Sequence, residues 1–181
     1  FFLKPSPVVN ELFKYLFAVK AKAYGIRVQA LVVLSSHYQA VCTDPRRKLD
    51  AFLRDFHSLI ARTFNTVYDR RESLWNRTSR PSCVRLVDAD AILREMVYAL
   101  ANPVEAGLVN AGCRWPGVRL AALHSARRVE LVARPDLKFF KGDWPDVVEL
   151  VLERPKPCHP ELDDEEFAAL FLSRVQRRER R

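Results

Sequence analysis

Residues 26–34 alternate briefly through Arg27 and Gln29 and then run continuously apolar over 30–34, as a strand entering a core does. Polar Ser35-Ser36 follows, then a second strand over 39–43 closed by Asp44-Pro45, so the two strands are expected to form a hairpin. Amphipathic helices flank it. Ser6-Pro7 supplies the cap and first helical position of one, whose stripe of Leu12, Leu16, Val19 and Ala23, with Phe13 and Phe17 beside it, ends near Gly25. In the other, Phe52, Leu53, Phe56, Leu59, Ile60 and Phe64 recur at helical spacing and leave Arg54, Asp55 and Arg62 toward solvent.

A basic, turn-rich stretch over 70–81 contains Trp75, Arg77 and Arg80, and it leads into Ser82-Cys83-Val84-Arg85-Leu86-Val87, an alternating run that reads as a strand. Asp88 or Asp90 caps a third helix through Ile92, Leu93, Met96, Val97 and Leu100, expected to stop at Asn102 because a following proline disfavours helical geometry. The order helix, strand, strand, helix, strand, helix predicts an α+β chain. Adding one strand before residue 1 gives a ferredoxin-like split βαβ antiparallel sheet with helices on one face, here with its first strand missing. After Val109 the character changes. Trp115-Pro116-Gly117, Arg134-Pro135, Trp144-Pro145 and Pro155-Lys156-Pro157 punctuate short apolar pieces over 129–133 and 147–152, read as strands. Asp163 or Asp164 then starts a helix carrying Phe167, Leu170, Phe171 and Val175, followed by a basic tail. We therefore expect a main domain over 1–120 and a C-terminal accessory segment over 121–181.

Lysine and arginine number 30 against 22 acids, a formal charge of +8 that favours a polyanionic partner, nucleic acid first. No apolar run approaches the ~20 residues that span a bilayer, and the opening Phe1-Phe2-Leu3-Lys4-Pro5 is too short for a secretory signal, so a cytoplasmic protein is expected. The four cysteines, Cys42, Cys83, Cys113 and Cys158, lie far apart, which indicates neither a disulfide framework nor a zinc knuckle. His57 borders the apolar face of its helix as a packing histidine, His124 carries no signal, and Cys158-His159 reads as loop.

Two places carry chemistry. In Leu34-Ser35-Ser36-His37-Tyr38-Gln39, residues 37 and 39 alternate onto one side of the sheet and present a histidine and a second ligand type together. On a wheel of the third helix, Arg94, Glu95, Tyr98 and Asn102 gather opposite the apolar flank, with Tyr98 and Asn102 one turn apart. A phenol of pKa about 10 needs help to attack at neutral pH. Arg94, one turn before Tyr98, is placed to hold a phosphate or stabilise phenolate.

The run Val32-Val33-Leu34-Ser35-Ser36-His37-Tyr38-Gln39-Ala40-Val41, followed by Tyr98-Ala99-Leu100-Ala101-Asn102-Pro103-Val104-Glu105-Ala106-Gly107-Leu108-Val109 and Trp115-Pro116-Gly117, resembles the REP-associated tyrosine transposases. These belong to the wider single-tyrosine HUH transposases, and the similarity covers roughly residues 1–120. The resemblance implies that Tyr98 is the nucleophile, and that His37, Gln39 and Asn102 hold a divalent metal, magnesium or manganese, that polarises the scissile phosphate of single-stranded DNA. Gln39 stands where the family has its second histidine. Its neutral carbonyl oxygen is a weaker ligand for manganese-like ions, although magnesium accepts oxygen donors.

Arg70, Arg71, Arg77, Arg80 and Arg85, with Arg94 beside Tyr98 and with Trp75 for stacking, are the candidate contacts to single-stranded or hairpin DNA. The expected function is tyrosine-mediated cleavage and joining of such DNA, in a protein without membrane association and with a homodimer as its candidate assembly. A degenerate or domesticated binder of structured DNA, its cleavage lost through Gln39 and the missing first strand, is the alternative. A plain RNA-binding module is disfavoured by the lack of an aromatic-rich RNP-type strand.

Overall fold

The computed structural model describes residues 2–75, 81–122 and 127–180. α1 (Pro7–Tyr24) starts where Ser6 Oγ accepts from Val9 N at 3.2 Å, with Pro7 at its first position. It ends at Gly25, whose φ of 72° turns the chain sharply into β1. β1 (Arg27–Val33) and β2 (Tyr38–Thr43) form an antiparallel hairpin, with a register shift between Val28 and Ala30. α2 (Leu49–Val67) follows.

Successive residues of β1 feed two different cores. Val28, Leu31 and Val33 point into a cluster with α1 and α2 built from Phe13, Phe17, Phe52, Phe56 and Phe64. Ala30, Val32 and Leu34 point into a second cluster on the opposite face. A strand buried on both faces reads as continuous apolar sequence, which is why 30–34 loses its alternation. The second cluster is covered by α3 (Ala89–Glu105) and α4 (Asp164–Glu179), so helices lie on both faces of the sheet rather than on one.

β3 (Arg119–Ala121), β4 (Arg127–Ala133) and β5 (Val147–Glu153) complete a mixed sheet of order β2-β1-β5-β4, with β3 also pairing with β1. The α+β class is as the sequence suggests and is consistent with a ferredoxin-like fold, but the sheet is not wholly antiparallel: β1 meets β5 in parallel at Val28 and Leu152. The residues after 120 are built into this sheet through β4 and β5, and into the second core through Phe167, Phe171 and Val175 of α4.

Two local expectations are corrected. Residues 81–87 form no strand, and Val84 and Val87 are 77% and 80% exposed. An alternating sequence becomes a strand only with a ladder partner, and β2, at the edge of the sheet, pairs only with β1 among the described residues. α3 also does not stop at Asn102 but runs to Glu105 with Pro103 inside. Pro103 falls in the last turn, where its missing N–H removes one bond, while Ala106 N still reaches Asn102 O at 2.8 Å.

Candidate functional site

The hairpin tip is tight. Leu34 N donates to His37 O at 2.8 Å around Ser35 and Ser36, and Leu3 N donates to Ser35 O at 3.1 Å, tying the N-terminal segment to the turn. His37 is exposed there, with Nδ1 sharing a hydrogen bond with Ser36 Oγ at 3.0 Å. Along β2, Tyr38, Ala40 and Cys42 pack on the first core, while Val41 joins the second core beneath α3. Gln39 shares the Val41 face by strand alternation. Its Oε1 is buried with no hydrogen-bond partner, a state that costs ~1–3 kcal/mol unless something fills it.

The wall behind the tip is aromatic. Tyr38 Oη shares a 2.7 Å hydrogen bond with His57 Nε2, and burial pushes the Tyr38 phenol pKa up and the His57 imidazole pKa down. Burial also pushes the Cys42 thiol to about 11. His57 is thus a satisfied packing histidine, with the Trp75 ring 4.7 Å away and Trp75 Nε1 donating to its carbonyl at 2.9 Å.

α3 begins at Asp88, whose carboxylate accepts from Ala91 N at 2.6 Å, and it packs on β1 and β2 through Leu93, Met96, Val97 and Leu100. Arg94 and Glu95 are exposed. Asn102 is not on that open flank, as the wheel suggests, but 7% exposed. Tyr98 is half-buried because α4 crosses its ring: Arg178 lies 4.8 Å from the ring centroid and bonds Glu105 Oε1 at 2.7 Å. Next to it, Arg119 bonds Glu179 Oε1 at 3.1 Å and Leu100 O at 2.9 Å, which anchors the end of α4.

α3 thus covers, through Leu93, Met96, Val97 and Leu100, the face of the hairpin that Val41 and by alternation Gln39 share. His37, by contrast, is exposed at the tip, Tyr98 packs against Arg178 of α4, and no hydrogen bond or ring contact among the described residues joins Tyr98 or Asn102 to His37 or Gln39. Among the described residues no three His, Cys, Asp or Glu side chains come together, so a cation on the residues named by the motifs would depend on one imidazole and two amide oxygens. The orphaned Gln39 Oε1 fits such a role, and the neutral set implies weak, oxygen-preferring binding.

The candidate DNA contacts scatter. Arg70 stacks over Phe2 at 3.8 Å and bonds Glu72 at 2.7 Å, while Arg71 and Arg85 are exposed. Arg77 and Arg80 lie outside the described residues, as does His124. Sequence reasoning missed Phe2, Leu3 and Arg178. Arg178 was legible, since it continues the stripe of Phe167, Phe171 and Val175 at helical spacing. Cys158-His159 is a loop whose thiol reaches Ala89 O at 3.3 Å. No helix among the described residues is long and apolar enough to cross a membrane. Comparison with models of known protein families, with curated proteins and with solved structures finds no match.

Proposed function

We propose that this protein cleaves and rejoins single-stranded or hairpin DNA with Tyr98 as nucleophile, as its resemblance to the REP-associated tyrosine transposases implies. What supports the reading is the pair of motifs on which the resemblance rests, together with α3 packed on the face of the hairpin that Gln39 shares with Val41 and a Gln39 Oε1 left without a partner. Tyr98 Oη would form a bond to phosphorus while the bond from phosphorus to the 3′ oxygen breaks, leaving a 5′-phosphotyrosine. The phenol proton ends on the released 3′-hydroxyl. His37, Gln39 and Asn102 would hold a divalent cation, which when bound supplies charge neutralisation at the phosphate. Arg94, exposed one turn before Tyr98, would hold the phosphate in reach. The net charge of +8 supports a polyanionic partner.

Gln39 favours a second reading, a binder of structured DNA in which cleavage is lost, because an amide oxygen replaces an imidazole in the donor set. Incubation with labelled hairpin-containing single-stranded DNA and magnesium or manganese, resolved on denaturing gels beside Tyr98→Phe, separates the two. A covalent adduct absent from the variant establishes strand cleavage by Tyr98. Retained DNA without adduct leaves the binder, and no retention sinks both.

A further inference from the structure

Leu3 is pinned to the hairpin turn, and Leu74 and Trp75 of the chain leaving α2 line a cavity with Leu3 and Ser36 of that turn. The cavity is open, measures about 250 Å³ and is lined by Phe2 as well. Leu3 and Leu74 are 2% and 8% exposed and make its apolar base, whereas Phe2 is exposed and Trp75 half-buried. The volume falls below the ~300–1,000 Å³ of sites for drug-sized ligands, which suits a single planar ring system.

The chemistry of the lining narrows the ligand. Trp75 is held by its hydrogen bond to His57 O at 2.9 Å, so its N–H is spent and its ring offers stacking rather than donation. Arg70 lies on the Phe2 ring at 3.8 Å, and exposed Lys4 and Arg71 adjoin Leu3 and Arg70 in the chain. An aromatic slot with one guanidinium, that of Arg70, stacked on its Phe2 wall and paired to Glu72 matches a planar base carrying a phosphate. Ser36, at the rim, bonds His37 at 3.0 Å, which ties the cavity to the tip that the proposed chemistry needs.

We propose that this cavity takes one unpaired nucleobase of single-stranded DNA, stacked on Trp75 beside Phe2, with its phosphate toward His37. The inference rests on the single-strand DNA reading above and adds where a base is read. A hairpin oligonucleotide with a single-stranded flank tests it on the full chain, with 2-aminopurine, and separately an abasic residue, placed at each flank position in turn. The expected result is fluorescence quenching at one position, where the abasic substitution weakens binding at least about five-fold, the low end of one base-on-aromatic stack. In Phe2→Ala and in Trp75→Leu that position-specific loss disappears. Phe2 is exposed, so its variant decides the matter alone if Trp75→Leu does not fold. Binding that is indifferent to every abasic position, or a loss that survives in both variants, overturns the base site while leaving DNA binding intact. Absence of binding overturns both readings, and tighter binding of the same flank as RNA overturns the DNA occupant.

Discussion

Arg178 of α4 lies over the ring of Tyr98 on α3, its guanidinium carbon 4.8 Å from the ring centroid, while its Nε holds Glu105 Oε1 at 2.7 Å. The residue singled out for chemistry is therefore also a packing residue between two helices. Arg178→Ala should cost about 0.5–1 kcal/mol through the lost cation–π contact, with little added from a part-exposed ion pair. Urea unfolding of the single and double variants with Tyr98→Leu measures the coupling; additive losses would mean that the stacking stabilises nothing.

Gly117 sits where the Trp115 indole donates to Val33 O at 3.0 Å. A methyl at that position meets the indole nitrogen and comes within 3.0 Å of the same carbonyl. Gly117→Ala should break the hydrogen bond and lower stability by roughly 1–3 kcal/mol, with a shifted tryptophan emission. An unchanged Tm would show that the loop relaxes freely.

Phe56 is fully buried with the rings of Phe13, Phe17, Tyr38 and Phe52 at 5.3, 5.2, 5.7 and 5.8 Å. Phe56→Ala leaves a cavity among four aromatic rings and should cost about 3–5 kcal/mol. Against a total of ~5–15 kcal/mol this brings the chain near its unfolding midpoint, measurable by urea titration followed by far-UV circular dichroism.

The His57 imidazole, bonded to Tyr38 and packed on Phe56 and Trp75, is held below its ordinary pKa by burial. A histidine kept neutral in the fold contributes stability above its unfolded pKa of about 6.5. That stability is lost as pH falls through this value toward the lower folded one, because the unfolded chain takes the proton first. The Tm should thus fall between pH 7.5 and 5.5, and His57→Gln should flatten the fall; an equal fall in the variant would assign it to other groups.

Gln39→His replaces an orphaned buried amide oxygen with an imidazole nitrogen. Manganese affinity, read by calorimetry, should rise, and any strand cleavage should rise with it. If neither changes, the donor set is unsuited to a cation for a reason other than residue 39.

Local sequence was sufficient wherever the physics is local. Ser6, Asp88 and Asp163 cap the helices they precede, and Gly25 takes the positive φ that ends α1. The apolar run 30–34 announces a strand covered on both sides, because only a central strand buries every residue. Two-residue spacing along β2 puts Gln39 on the face of Val41, because strand alternation is local.

What lay between distant segments was not legible. Residues 81–87 carry the alternation of a strand yet stay unpaired, because a ladder needs a partner that no local pattern guarantees. Asn102 looks polar on a wheel and is buried, because burial depends on what packs against a helix rather than on its own periodicity. β4 and β5 enter the same sheet, α4 brings Arg178 onto Tyr98, and Phe2 and Trp75 line one cavity with Ser36 of the hairpin turn. Each of those contacts joins residues far apart in the chain, where loop closure and core packing, not spacing, decide who meets whom.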